Sequence, residues 1–403
     1  MARRTVSALV GAVLCLALAA PVASATAAEP TAAGSAAVAK GSGGRWVEAL
    51  KAVTGAGAAS AVAEVREEGG VRRAGSGVAD LATGAPVRTD GRFRAGSITK
   101  VFTSTTVLQL VGEGRIGLDD PIDRYLPGAV PNGDHITVRQ LLNHSSGLWD
   151  PTNEKGGLFP DRTDGNAIRN WLDQGGLTRT ITPAKVVAAS VAHAPNFPPG
   201  TKWSYSNVNY TLLGMIIERV TGHGYAQEIT ARILRPLRMS GTYFPGTAID
   251  IRGPHAHGYW TLAEGPGPED RSDRDVTLAD MSWANSAGEL ISTLDDLTRF
   301  EKALLGGRLL SEKLMREMTT TIPVEVDGVP TSVGYGLGLV TLPLSCGPVY
   351  GHDGGVPGYS SQLWGTGDRQ VAVSATIKGD EAQINAQLGA EIGLVDAAFC
   401  GSR

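Results

Sequence analysis

The order of helix-like and strand-like stretches predicts an α/β chain of the α+β type: one antiparallel sheet built from strands near both ends, flanked by helices, with a mainly helical unit inserted between. Three observations carry this. Residues 59–66 alternate toward Glu67-Glu68-Gly69-Gly70, and a second strand returns through Val78, which reads as a hairpin. Residues 207–221 and 225–234 repeat their apolar positions at helical spacing, so the middle of the chain is mostly α. After Met281 the pattern changes, and strand-like runs at 358–364 and 370–377 precede a C-terminal helix over 381–399. The expected division is 1–27 signal peptide, 28–44 flexible leader, 45–114 with 286–403 as the sheet unit, and 115–285 as the inserted helical unit.

Taken in order, Arg3 and Arg4 precede an apolar run over 6–20, then Pro21 and the small-residue stretch Val22-Ala23-Ser24-Ala25-Thr26-Ala27. This is the pattern of a secretory signal peptide cleaved after Ala25 or Ala27, and predicts an exported protein with no retained membrane span. Cys15 lies inside the run and goes with it. Of the 3 Cys, Cys346 and Cys400 remain; an even count in an exported chain argues for one disulfide, two buried thiols being the alternative. Residues 29–44 are Ala, Gly and Ser without period, a linker composition. A short helix is expected around 46–53. Residues 119–133 are loop, Thr137 caps a short helix carrying Val138, Leu141 and Leu142, and the polar stretch 150–185 reads as an irregular surface excursion over the site. A further helix is expected over 294–305.

Composition narrows the class. The 403 residues allow a large core, and a net charge of -4 gives no basic surface for nucleic acid. With 53 Gly and 6% aromatics the chain suits a loop-rich α/β protein. There is no internal repeat and no nucleotide-binding loop, and neither a metal nor an organic cofactor is implied.

Three stretches carry chemistry. In Phe93-Arg94-Ala95-Gly96-Ser97-Ile98-Thr99-Lys100 a loop closes on a helix start, with Ser97 in a position that favours a capping Ser and Gly96 giving the backbone room. Ile98, Val101, Phe102, Leu108 and Val111 give the helix an apolar face and predict that it is buried. Three residues are close to one helical turn, so Ser97 and Lys100 share a face. A hydroxyl needs a base before it attacks, and an enclosed Lys that has lost its charge is one. By itself this spacing recurs by chance about once in a chain this long, and its ordinary meaning is a cap followed by a solvated Lys. In Pro198-Pro199-Gly200-Thr201-Lys202-Trp203-Ser204-Tyr205-Ser206-Asn207 a stiff loop turns into a helix start. It could present Tyr205, with a pKa lowered by a charged Lys, and Asn207, whose amide could hold that Lys or a substrate carbonyl; a packed Tyr and a capping Asn are the alternative. In Tyr350-Gly351-His352-Asp353-Gly354-Gly355-Val356-Pro357-Gly358-Tyr359 the glycines suit an edge strand that a ligand approaches. The N–H of Gly355 could complete an oxyanion hole with that of Ser97.

With all three in this order, the sequence resembles the serine penicillin-recognising enzymes, in the branch of class C β-lactamases and secreted D-alanyl-D-alanine carboxypeptidase/transpeptidases. The matching motifs are Ser97-Ile98-Thr99-Lys100, Tyr205-Ser206-Asn207 and His352-Asp353-Gly354. Leu141-Leu142-Asn143-His144-Ser145-Ser146-Gly147-Leu148, Gly334-Tyr335-Gly336-Leu337-Gly338-Leu339 and Ser282-Trp283-Ala284-Asn285-Ser286-Ala287-Gly288 support the likeness, and Cys346 and Cys400 match the disulfide of the secreted carboxypeptidases. The resemblance implies that Ser97 is acylated, that Lys100 and Tyr205 are its acid/base pair, that Asn207 contacts substrate and Lys100, and that His352 is an electrostatic partner where other branches have Lys. Trp283 and Tyr335 would line the cleft, with Asp353 and Gly355 beside substrate, and His144 is left structural.

One departure bears on substrate. The resembling carboxypeptidases hold a terminal carboxylate with an Arg and two hydroxyls, where this chain has Val340, Asp353 and Gly355. The expectation is an exported serine acyl hydrolase, carboxypeptidase-like by family default, on a small-molecule or peptide substrate: cell-wall peptide, D-amino-acid derivative, ester or β-lactam. An esterase, a D-amino-acid amidase or aminopeptidase, and a non-catalytic binder of cell-wall peptide or β-lactam are the competing readings.

Overall fold

The structure is a computed structural model describing residues 44–152, 156–160, 165–263, 270–326 and 329–401. The expected signal peptide, and the leader up to 43, lie outside the described residues. The chain opens with α1 (Arg45–Gly55), the hairpin β1 (Ser60–Glu67) and β2 (Gly70–Gly77), and a short β3 (Phe93–Arg94) leading into α2 (Thr99–Gly112). The helices α3 (Val138–Leu142), α4 (Gly165–Asp173), α5 (Pro183–Val191), α6 (Asn207–Thr221) and α7 (Tyr225–Ile229) follow, then the hairpin β4 (Tyr259–Ala263) and β5 (Arg271–Asp275). Next come α8 (Asn285–Gly288), β6 (Ile291–Ser292), α9 (Leu294–Leu305) and α10 (Glu312–Thr319). The last third is β7 (Ile322–Val326), β8 (Val329–Tyr335), β9 (Val340–Leu344), β10 (Gly347–Val356), β11 (Tyr359–Gly365), β12 (Gln370–Thr376) and α11 (Glu381–Cys400).

Among the described residues the main sheet has eight strands in the order β2-β1-β12-β11-β10-β9-β8-β7. Every neighbouring pair in it is antiparallel. The first and last strands of the chain, β1 and β12, pair one strand in from the β2 edge, Ser60 opposite Thr376 and Val65 opposite Val371. Successive side chains point to opposite faces, so one strand feeds two cores. Ala61, Ala63, Val65, Val371 and Val373 pack against Trp46, Leu50, Leu394 and Val395 of α1 and α11. Val62, Leu363 and Ala372 face the other core, with Phe102 of α2 and Phe300 of α9. Capping boxes at Thr137 and Asp380 start α3 and α11.

Several expectations change here. The helix after Ser97, expected to be buried, is so on every side from Thr99 through Leu108 and not only along its apolar face. It packs against α6, α7 and α8, with Phe102 stacked on Phe300 of α9 at 3.8 Å, so small hydroxyl residues replace a polar face. Thr99, Thr103 and Thr105 each donate to a backbone carbonyl. Ser97 caps nothing; it sits in a 3₁₀ turn (Gly96–Ile98), and no side-chain cap bond is made at the start of this turn or of α2. The stretch 150–185 is not irregular, since it holds α4 and the first turn of α5. A sequence beginning Gly-Asn and burying only Ile168 fully gives α4 little signal. The middle of the chain also contains β4–β5, whose second strand, Arg271–Asp275, is mostly exposed and charged. The stretch 350–359 is not an edge strand. Yet β9 pairs with β10 only as far as Gly351, so residues 352–356 have β11 on one side and no strand on the other.

Among the described residues no helix is long and apolar enough to cross a membrane. Cys346, beside β10, is joined to Cys400 at the end of α11, with Cα atoms 5.5 Å apart and a separation of 54 residues. Opening a loop of that length restores about 4 kcal/mol of chain entropy to the unfolded state. Cys346→Ser with Cys400→Ser therefore lowers the thermal midpoint by about 5–10 °C. Equal midpoints by differential scanning fluorimetry, with and without the bridge, would count against a stabilising bond.

Candidate active site

Ser97 and Lys100 come together because a 3₁₀ turn runs straight into α2. Gly96 makes the turn possible: its φ is +53°, and a Cβ there would stand 2.7 Å from the Gly355 nitrogen. Glycine alone lets the turn and β10 approach this closely. Ser361 Oγ fastens the other side of the turn by donating to the Ala95 carbonyl at 2.9 Å.

Lys100 is wholly buried. Its Nζ lies 2.8 Å from Asn207 Oδ1, 2.8 Å from the Ala287 carbonyl and 3.0 Å from Ser97 Oγ. Burial lowers its pKa to about 7, against the opposing pull of Asp150 and Asp353. Two of its three neighbours can only accept. When the amine is neutral its two N–H groups go to Asn207 and Ala287, and its lone pair is left for the Ser97 hydroxyl.

Tyr205 reaches Ser97 from the other side, its OH donating to Ser97 Oγ at 2.8 Å. The expectation of a lowered phenol pKa is corrected. Burial pushes Tyr205 well above its ordinary value, and the bond to Ser97 offsets this only in part, so the phenol keeps its proton. Asn207 is the first residue of α6. The loop before it is pinned to the segment after α3, with Gly200 N–H donating to the Ser145 carbonyl at 2.8 Å and Ser204 N–H to that of His144 at 3.0 Å.

His352 lies in the unpaired half of β10 and is buried. Burial, with Lys100 nearby, lowers its pKa to about 3, so it is neutral and cannot stand in for a cation. Its Nε2 is 3.0 Å from Tyr335 OH and its Nδ1 2.5 Å from the Asp353 carbonyl. Tyr335 is only 2% exposed; rather than lining the open cleft it bridges His352 to His144, whose Nε2 is 3.2 Å away. Trp283 is half-buried in an aromatic recess with Phe159, Trp171, Trp260 and Pro357, its ring 4.9 Å from that of Phe159. Asp353 stands opposite Gln362 on β11 with 26% of its side chain exposed, and burial raises its pKa to about 6. Val340 is buried opposite Gly351. Among the described residues no group of His, Cys, Asp and Glu is placed to hold a metal.

Sequence reading missed Asp150, Thr152 and the Ala287 carbonyl. Asp150 carried one signal, its place two residues past the family-like stretch ending at Leu148; a backbone acceptor carries none.

The Beta-lactamase family model matches residues 45–395. Penicillin-binding protein 4* of Bacillus subtilis is 30% identical over 292 residues, 71% of this chain and 60% of that protein, so this chain spans about three fifths of that relative's length. A D-stereospecific amidohydrolase from Streptomyces sp. is 37% identical in sequence and superposes with a TM-score of 0.74, covering 89% of this chain and 98% of its own. D-amino acid amidase from Ochrobactrum anthropi SV3, complexed with L-phenylalanine, is 27% identical with a TM-score of 0.75, over 88% and 97% of the two chains. With a family match running from α1 into α11 and these relatives beside it, the chain belongs to the beta-lactamase family of serine hydrolases.

Proposed function

We propose that this protein is an exported serine amidohydrolase that forms an ester at Ser97 and prefers D-amino-acid amides and esters to peptides ending in a free carboxylate. The observation that carries the reading is the lone-pair geometry at Lys100, an amine whose other directions are taken by fixed carbonyl acceptors. Ser97 O–H donates to neutral Lys100 Nζ, and the proton passes there as Oγ attacks the substrate carbonyl. The oxyanion is received by the N–H groups of Ser97 and Gly355. The ladder between β10 and β11 closes at Val356–Tyr359, and alternation of its bonded pairs turns the Gly355 N–H to the free side. As the intermediate collapses, Tyr205 gives its proton to the leaving nitrogen and recovers one from the Lys100 ammonium. Water then attacks the ester, and the same groups work in reverse.

Substrate preference rests on what stands at the leaving-group side. A carboxylate there meets Asp353 with Val340 in place of a cation, which is unfavourable by about 1–3 kcal/mol in a desolvated cleft. An amide or ester leaving group brings no charge. The likeness to a D-stereospecific amidohydrolase and a D-amino acid amidase supports this choice over the carboxypeptidase reading.

An active-site acylating probe is expected to label the wild-type protein and not Ser97→Ala; labelling of the variant would end the nucleophile assignment. Because the folded pKa of Lys100 is below its ordinary value, the amine is neutral above about pH 7. Acylation should therefore rise with pH along an acid limb near 7 and lose about tenfold per unit below it. A flat profile between pH 5 and 8 would exclude Lys100 as the base. Comparison of kcat/KM on a D-Ala-D-Ala peptide, its C-terminal amide, a free-amine D-amino-acid amide and a short-chain ester should place the free carboxylate last by about tenfold or more. Were it best of the four, the reading of Asp353 and Val340 would be wrong.

A further inference from the structure

We infer that Asp150 is a positioning residue of the reaction: its carboxylate sets the direction of a hydrogen-bond chain that turns the Asn207 carbonyl oxygen toward Lys100, and it supplies a buried negative charge beside that amine. This rests on Lys100 being the base that activates Ser97.

The argument is one of donor and acceptor counting. Asp150 is 2% exposed; burial raises its pKa, the bonds from Thr152 and Asn207 and the charge of Lys100 oppose the rise, and as a carboxylate it can only accept. Thr152 Oγ1 donates to Asp150 Oδ1 at 2.9 Å, so its single proton is committed. The same oxygen lies 2.7 Å from Asn207 Nδ2 and must accept there. Asn207 Nδ2 also donates to Asp150 Oδ2 at 3.3 Å. With both amide protons directed at this pair, Oδ1 is the atom left to face Lys100, 2.8 Å away. Backbone N–H groups of Thr152 and Asn207 donate to Asp150 as well, at 3.1 and 3.3 Å. The second of these fixes the carboxylate at the start of α6, where helix geometry favours an anion. A neutral amide at 150 could donate to Thr152, reverse the chain and let the Asn207 NH₂ group turn to Lys100, where no acceptor would remain for the amine.

The charge has its own effect. Asp150 and Asp353 are the anions that favour the Lys100 ammonium, against burial. Among the described residues, the other groups near the amine include His144 and His352, each held well below the ordinary histidine range by burial, and the phenols of Tyr205 and Tyr210, whose pKa values burial raises. None of these four carries charge at neutral pH. Removing the Asp150 charge weakens the ammonium form and moves the limb of the pH profile downward.

The test follows the burst of p-nitrophenol on acylation of Ser97 by a p-nitrophenyl ester, from pH 5 to 8.5, in the full chain. Asp150→Asn is expected to move the acid limb down by about one pH unit and to lower the plateau rate at least tenfold. Thr152→Val keeps the charge and breaks the chain, so its plateau falls while its limb stays; Thr152→Ser restores the plateau. A wild-type limb near 7 with an Asp150→Asn limb and plateau within twofold of wild type overturns the inference and leaves the base assignment standing. A wild type without that limb removes the base assignment and this inference with it. If Asp150→Asn does not fold, the Thr152 pair decides, and an unchanged plateau in Thr152→Val overturns the role of the chain.

Discussion

The interaction on which the rest of the molecule depends is the enclosure of one amine, Lys100 Nζ, among two fixed carbonyl acceptors and one hydroxyl. Burying an ammonium costs several kcal/mol, and this burial brings Lys100 close to neutrality at ordinary pH. Its partners come from distant places: Asn207 from the first residue of α6, the Ala287 carbonyl from α8, Ser97 from the turn before α2. The three segments must therefore be packed at once. That requirement explains why α2 is buried on all sides and why its neighbours approach so closely. A Cβ on Gly214 of α6 would stand 2.2 Å from Ser286 Oγ of α8.

Around this centre polarity is fixed by hydrogen-bond direction more than by charge. His144 Nδ1 receives the Ser206 N–H at 3.2 Å and an N–H of Asn209 at 3.0 Å, so its proton sits on Nε2 and points at Tyr335 OH. That hydroxyl in turn donates to His352 Nε2, leaving the His352 proton on Nδ1 for the Asp353 carbonyl. Each group has one consistent role, and no member needs a charge. A chain of neutral donors placed this near Lys100 leaves it free to switch between amine and ammonium. A cationic His352 would compete with that switch.

Sequence reading found the three motif segments and the sheet built from both ends of the chain because each has a local signature: i,i+3 spacing at Ser97 and Lys100, a hairpin turn at Gly69-Gly70, glycines around His352. It failed where the determinant is non-local. The protonation states of Tyr205 and His352 follow from burial, which no motif spells. The family resemblance makes Tyr335 a cleft residue, yet the chain turns at Gly336–Leu339, where Gly336 N–H donates to the Leu339 carbonyl at 2.8 Å, and the ring is only 2% exposed. Asp150 lay just past a quoted segment, but its meaning depends on Thr152 and on α6, more than fifty residues further along. The polar strand β5 is held by pairing with β4 and has no alternation of its own to announce it.

The rim of the sheet beside the unpaired half of β10 is where the proposed substrate preference originates. Asp353 stands opposite Gln362, and Gln362 Nε2 donates to Glu391 Oε2 of α11 at 3.1 Å. Glu391 is wholly buried, receives Ser360 Oγ at 2.8 Å, and has its pKa raised to about 7 by burial, with Asp353 adding to the rise. Burial makes ionisation harder for both carboxyl groups, and the Asp353 charge adds to the rise at Glu391. An incoming carboxylate would be a third acid in a place already unfavourable for two. The proposed preference against anionic leaving groups therefore does not rest on Asp353 alone. It is built into the packing of α11 on β11, so a single substitution at Asp353 removes the acid nearest the cleft and leaves the one behind it.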